Sequence, residues 1–498
     1  MNTSPIIRTT TEVDGGDEGN PLLEGLTLTT SEVEMLPLIA RDPFRNAAWR
    51  RQNQDPDLIR FYLQQVVVPT RTALRVGTAL HRALKIALHQ QDPRIAENKR
   101  QYFATGDSLV KPEFSRGIHD GMCILAETGA GKSHLIEAAL STIPQRIVRK
   151  NIPGIDTVTQ ITWIKIDMSG LPSVEALARR LVESVDNILG HEGQLLEATF
   201  RGKRSVQAMM QAAIRLLKTH FCGLIVFDEI QPDNFAVATA APIRSWMLIL
   251  ANVGFGLVYA GNPLGFKLQM PKVKKATDRQ HVYSTQIMRR LFSAENIRID
   301  PAQSHADSDW LFFTKAVNGC HLFGGERPFD PNLELRKFQL TAGISDYYVE
   351  LHCSIERLLA KNPAQVVDLK LVELAAKMTP KLKEMKHVID AFLHKDLIAL
   401  RLCSDIDYEY YAKLWHQEDS PKNTGQAVGP VGIVAMPSGD VNAVQSLIED
   451  QNAANRRMKR NKDNAERELN PAAEAVRTHH LGELDQLISG KARNELEE

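Results

Sequence analysis

Between residues 119 and 300 short apolar runs alternate with longer amphipathic stretches. The runs are MCILA (122–126), ITWIKI (161–166), LIVF (224–227), FGLVYA (255–260) and NIRI (296–299). Between them lie patterns of helical period, SHLIEAAL, SVEALARRLVESVDNIL and VQAMMQAAIRLLKTHF. Strands buried on both faces read as unbroken apolar runs, and their alternation with helices predicts an α/β unit with a parallel sheet. Upstream, LRVGTALHRALKIAL at 74–88 places Leu74, Val76, Leu80, Ala83, Leu84, Ile86 and Leu88 at helical spacing. After Ser304 the patterns turn helical throughout: DWLFFTKAV, SDYYVELHCSIERLLA, LKLVELAAKM and KHVIDAFLH.

The breaks between these patterns divide the chain. Residues 1–54, polar and without sustained period, are expected to form a flexible arm, with LPLIA at 36–40 as a possible docking point. Residues 55–118 are expected to be a helical adaptor, 119–303 the α/β core, and 304–415 an α-helical lid and extension. The Gly-, Pro- and Ser-rich text after Trp415 reads as a linker. It leads, within 416–498, to a mixed-charge tail and a short amphipathic docking helix, HLGELDQLISGKARNELEE.

Composition narrows the options only slightly. Sixty basic side chains balance sixty acidic ones, so a nucleic-acid surface has to be a local patch rather than a global field. The five cysteines (Cys123, Cys222, Cys320, Cys353, Cys403) show no metal-ligand spacing and read as small apolar residues of a reducing compartment. No apolar run approaches the roughly 18 residues of a membrane span. A cytoplasmic protein is expected.

The strongest chemical signal is AETGAGKS at 126–133, directly after the strand MCIL and directly before a helical pattern. A phosphate-binding loop needs glycines so that backbone N–H groups can face the phosphate oxygens. It also needs a lysine for the β and γ phosphates and a hydroxyl for Mg²⁺. Gly129, Gly131, Lys132 and Ser133 fill those roles at the positive end of a helix. The nucleotide-binding stretch comprises Ala126, Glu127, Thr128, Gly129, Ala130, Gly131, Lys132, Ser133 and His134, with Ala126 standing where the usual pattern has its first glycine. A second signal is GLIVFDEIQ at 223–231, which puts Asp228 and Glu229 at the carboxyl edge of a buried strand. Asp228, with Ser133, is expected to hold Mg²⁺, and Glu229 to polarise the attacking water. The cofactors expected are therefore ATP and Mg²⁺. Asn262, at the tip of the strand FGLVYA, is a candidate γ-phosphate sensor, although Gly-Asn-Pro is also an ordinary turn. Arg289 and Arg290, ahead of NIRI, are candidate arginine fingers for a neighbouring subunit, or equally surface arginines on a helix.

This order of motifs resembles the AAA+ regulators of multi-subunit DNA transposons, the TnsC and TniB type, over roughly residues 40–400. RDPFRNA (41–47), the helical stretch from Pro56 to Pro93, WIKIDMSGLPSVEALARRLVESVDNILG (163–190), GLIVFDEIQ, the strand ending in Gly-Asn and the Arg-Arg segment before NIRIDP carry the resemblance. The helix after TAGISDYY (341–348) resembles the start of the family's lid, without a clear basic sensor 2 residue. The resemblance implies a P-loop AAA+ parallel sheet with flanking helices, an α-helical lid behind it and a helical adaptor before it. It also implies assembly with ATP into a ring or helical oligomer on double-stranded DNA, linking a target-selector protein to transposase subunits. Hydrolysis would control that assembly. DNA contacts are expected at Arg201, Lys203 and Arg204, between the second and third strands. A second basic patch includes Lys272, Lys274, Lys275 and Arg279.

Two rival readings share the core. One is an initiator or helicase-loader ATPase with another client. The other is a scaffold whose nucleotide is structural and never hydrolysed, which the Asp228-Glu229 pair argues against.

Overall fold

A computed structural model describes residues 10–14, 19–103, 121–171, 173–203, 205–236, 240–267, 291, 295–323, 327 and 329–418. The chain divides into two compact units, Met1–Ser420 and Pro421–Glu498, and the second lies entirely outside the described residues.

Eight strands are found among the described residues: β1 (Thr10–Asp14), β2 (Met122–Ala126), β3 (Arg146–Ile152), β4 (Ile155–Ile161), β5 (Trp163–Asp167), β6 (Leu224–Ile230), β7 (Gly256–Gly261) and β8 (Asn296–Ile299). The five apolar runs become one parallel sheet of order β5-β6-β7-β2-β8. Parallel neighbours require crossover connections, and the helices that supply them cover both faces. On one face Leu224, Val226, Val258 and Ile124 pack with the helices Arg71–Gln90 and Lys132–Leu140. On the other, Ile225, Phe227, Leu257 and Tyr259 pack with the helices Val174–Leu189, Val206–Thr219 and Ala241–Asn252. The fold class is therefore the expected α/β sheet with flanking helices. The carboxyl ends of β2, β6 and β7 lie side by side, which brings the loop after Ala126, the Asp228-Glu229 pair and Asn262 to one edge.

A second, three-stranded sheet of order β1-β3-β4 was not legible as apolar runs. Its β3–β4 hairpin is half-buried: Arg146–Ile152 alternates buried with less buried positions, so its polar residues hide the strand. The run 161–166 is likewise split, with Ile161 closing β4 and Trp163 opening β5.

One expectation about the N-terminal region is corrected. The flexible arm of 1–54 is packed over much of its described part: Leu22, Met35 and Ile39 are fully buried, and Met35 and Ile39 belong to the helix Glu32–Ile39. These residues join the sheet's core beside Val76, Leu80 and Leu84. Met35 and Ile39 do stand four apart, but their helix is only eight residues long and carries Pro37, too short a stretch to show a period. The expected helical region ahead of the core is present, and its helix Arg71–Gln90 packs directly against the sheet. Its residues Leu74, Val76, Leu80, Leu84 and Leu88 share one cluster with Ile124, Val226 and Val258 of the sheet.

Beyond β8 the described chain is helical from Ser308 to Glu418, around a core that includes Leu351, Ile355, Leu359, Val372, Ile389, Phe392, Tyr411 and Trp415. A further cluster joins Phe44, Ile59, Tyr62 and Val66 to Cys320 and Cys353 of this helical part. The linker, charged tail and docking helix expected within 416–498 lie outside the described residues, except that 416–418 complete the last helix. Among the described residues no helix is long and apolar enough to cross a membrane.

Candidate nucleotide site

β2 ends at Ala126, whose side chain is buried in the core, so its small size suffices where a glycine was the usual expectation. The chain then turns through residues 127–131 into the helix Lys132–Leu140. Gly129 and Gly131 take φ values of +85° and +90°, a region open to glycine and strained for other residues. Gly131 is the N-cap of the helix, so the first-turn N–H groups have no partner within the helix and lie at its positive end.

Lys132 is the first residue of that helix, and its buried ammonium group reaches the strand opposite. Lys132 Nζ lies 2.5 Å from Asp228 Oδ1, 3.3 Å from Glu229 Oε1 and 3.1 Å from Ser133 Oγ. Ser133 Oγ is 3.4 Å from Glu229 Oε1. A second cation, Lys165 of β5, lies 3.2 Å from Asp228 Oδ2 and 2.5 Å from Glu137 Oε1. Burial alone would raise the Asp228 carboxyl, but the ammonium groups of Lys132 and Lys165 outweigh it and hold it below its ordinary value. Burial likewise opposes the charge on Lys165, yet Asp228 and Glu137 raise it above the ordinary lysine range.

Glu229 owes its position to an irregularity in β6. The register shifts between Phe227 and Ile230, and Glu229 adopts φ +58°. Three hydrogen bonds fix it there: its N–H donates to Asp228 Oδ1 (2.9 Å), its carbonyl accepts from Asn234 Nδ2 (2.8 Å), and its Oε2 accepts from Gln231 Nε2 (3.1 Å). A strained non-glycine residue with this many restraints is characteristic of functional sites.

Residues 119–270 match a family model described as an AAA domain. This segment is an AAA-type ATPase domain. The match runs from the entry to β2 to just past β7, and so contains the loop, the Asp228-Glu229 pair and Asn262. No curated protein matches the chain.

The residues of the AAA domain fit a nucleotide with Mg²⁺. The loop offers unpaired helix N–H groups and a buried lysine to phosphates, and the Ser133 hydroxyl and Asp228 carboxylate are hard oxygen donors. Among the described residues no group of three or more His, Cys, Asp or Glu could hold a metal alone. Mg²⁺ takes one or two protein oxygens and completes its shell with phosphate and water.

The helical part closes over the loop of the AAA domain. Gly129 O accepts from the N–H of Asp346 (3.1 Å) and from Ser345 Oγ (3.3 Å), both at the start of the helix Ser345–Lys361. Asp346 in turn pairs with Arg60 and with Lys381. Residues so far apart in the chain leave no sequence signal. Thr128 Oγ1 meets Asp405 Oδ2 at 3.2 Å.

Behind the loop Glu127 is buried, 2.9 Å from Arg298 and 3.4 Å from the N–H of Asp407, while its Oε2 has no hydrogen-bond partner. Burial, reinforced by Asp407 and Asp300 against the opposing Arg298, pushes its carboxyl up to about 7. Its ordinary value is 4.5, so the folded protein holds a proton there that the unfolded chain has lost. That contribution to stability is full below about 4.5 and is lost as pH rises through about 7. Glu127→Gln is expected to remove this dependence and to gain up to roughly 3 kcal/mol over the parent at pH 8. Urea unfolding of both proteins at pH 5 and pH 8 checks it. An unchanged difference between the two proteins at the two pH values contradicts it.

The remaining site candidates divide into three groups. Asn262 is at the carboxyl edge as expected, but its amide is already engaged: Nδ2 donates to Asp405 O (2.5 Å) and Oδ1 accepts from Leu264 N (2.8 Å). The His134 ring is engaged as well, with Nε2 2.9 Å from Val66 O, tying the helix to the N-terminal segment. Arg201 is exposed after the helix Gln194–Phe200, 3.8 Å from Glu197, and Lys203 follows it, so neither joins the nucleotide site. Arg204, Lys272, Lys274, Lys275, Arg279, Arg289 and Arg290 lie outside the described residues.

Proposed function

We propose that the AAA domain hydrolyses ATP and that the chain uses this to regulate DNA transposition, assembling on double-stranded DNA between a target selector and transposase subunits. The observation that carries the hydrolytic reading is the convergence of Lys132, Ser133, Asp228 and Glu229 within hydrogen-bond reach of one another. A site that only stores nucleotide has no use for a restrained carboxylate beside the metal-binding one. Bound Mg²⁺ would neutralise charge on the phosphates. Lys132 exchanges its carboxylate partners for the β and γ phosphates, Ser133 and Asp228 offer the metal ligands, and Glu229 accepts the proton of the attacking water. Asn262 orients that water once its Nδ2 leaves the Asp405 carbonyl. Arg289 or Arg290 of a neighbouring copy completes the site, which ties hydrolysis to assembly.

The transposition role rests on the order of motifs from RDPFRNA (41–47) to NIRIDP, which resembles the TnsC and TniB type. In this reading Arg201, Lys203, Arg204, Lys272, Lys274 and Lys275 touch phosphates, so binding is blind to sequence and falls steeply with salt. The protein works in the cytoplasm, where ATP and DNA are both available.

Binding to a random-sequence duplex with ATP, with ADP and with neither, followed by anisotropy and particle size, tests this role. Strong binding with growth into rings or filaments is expected only with ATP. Equal, weak binding in all three conditions rejects the DNA-platform role and leaves an ATPase whose client is a protein.

A further inference from the structure

We propose that Lys165 is a positioning residue for Asp228, and that the sharing of its ammonium group between Asp228 and Glu137 sets how much Mg²⁺ the nucleotide site requires. The inference rests on the ATP-site reading and deepens it.

β5 is apolar apart from this residue and its terminal aspartate, and its neighbours Ile164 and Ile166 are fully packed into the opposite face of the sheet. The pleat therefore turns Lys165 to the face that carries the helix Lys132–Leu140. In the register of the sheet Lys165 pairs with Val226, so Asp228 stands two residues further along the adjacent strand, on the same face. Lys165 Nζ meets both Asp228 Oδ2 at 3.2 Å and Glu137 Oε1 at 2.5 Å. Lys132 occupies the other oxygen of Asp228, so this one carboxylate is held between two ammonium groups.

These two cations have different fates when nucleotide enters. Lys132 opens the helix after the loop and is drawn to the phosphates, whereas Lys165 is anchored in the sheet and remains beside Asp228. A cation that stays competes with Mg²⁺ for that carboxylate. Glu137 moderates the competition, because it holds the same ammonium group from the opposite side. Replacing Lys165 by an aliphatic side chain leaves Asp228 paired with Lys132 and Glu137 partly open to water, so neither carboxylate is buried without a partner.

The arrangement predicts opposite effects for two substitutions. Binding of a fluorescent ATP analogue to the full chain is followed while free Mg²⁺ is varied, and the midpoint of the Mg²⁺ dependence is read. Lys165→Met removes the competitor and lowers the midpoint by roughly fivefold, a coupling of ordinary size. Glu137→Gln leaves Lys165 to Asp228 alone and raises the midpoint by roughly two- to threefold. Lys165→Arg keeps the charge and stays close to the parent. Glu137 is partly exposed, so its variant is not at risk of misfolding and the proposal can fail on it alone. An unchanged midpoint in Glu137→Gln, or a shift in the same direction for Glu137→Gln and Lys165→Met, overturns the proposal while leaving the ATP site standing. A parent protein that binds no analogue at any Mg²⁺ concentration overturns both.

Discussion

ATP turnover is expected to fall by at least roughly a hundredfold when Glu229 is replaced by Gln, with nucleotide binding retained. The amide keeps the size of the side chain and an oxygen to face Lys132 and Ser133, so the site keeps its shape. What it loses is the ability to take a proton from water. The backbone at φ +58° is unaffected by the exchange, because glutamine and glutamate share the same stereochemistry there. Phosphate release and analogue binding, measured on the same preparation, separate the two effects. If assembly depends on ATP, the variant is also expected to accumulate in its assembled form. Parental turnover in the variant contradicts the role given to Glu229.

The largest effect on stability is expected at Arg298, on β8. Its guanidinium lies 2.9 Å from Glu127, 2.7 Å from Asp300 and 3.7 Å from Asp407, and it stacks 3.4 Å from the centre of the Tyr410 ring. Tyr410 itself donates to Asp300 at 2.7 Å. Arg298 thus joins the nucleotide loop, β8 and the helix Tyr408–Glu418 through one cation. Arg298→Leu strands Asp300 and Asp407 beside Glu127, which joins them as a charge only above about pH 7, and among the described residues Lys267, 2.8 Å from Asp407, remains to compensate. A loss of about 3 kcal/mol follows, because removing one partner leaves buried charge uncompensated. Urea unfolding measures it, and a change within about 0.5 kcal/mol, the range of surface substitutions, contradicts the assignment.

What was legible in the sequence follows from local physics. The runs MCILA, LIVF and FGLVYA are strands because both their faces are buried, and a strand with no polar face cannot be confused with a surface element, whereas NIRI at the sheet's edge buries only Ile297 and Ile299. The loop AETGAGKS was legible because its glycines and its Lys-Ser pair answer a local backbone requirement. The half-buried β3 and β4 were not, since Arg146, Arg149 and Lys150 interrupt their apolar positions. The docking of Leu22 and Met35 was hidden because their partners lie far along the chain, in the helix Arg71–Gln90. Contacts such as Arg60 to Asp346, or Glu127 to Arg298, join residues of unrelated local context, and no spacing rule reaches that far. Lys165 did leave a signal: a lone lysine in the run ITWIKI, where a buried strand has no place for an unpaired charge.

The account stands or falls on whether Lys132 anchors a nucleotide. Calorimetric titration of the full chain with ATP and Mg²⁺, beside the same titration of Lys132→Ala, tests this most directly. Saturable binding at one site per chain, lost in the Lys132→Ala variant while its thermal unfolding remains cooperative, is the predicted result. No binding by the parent, or equal binding by a folded Lys132→Ala protein, would contradict the nucleotide site at the start of the helix Lys132–Leu140.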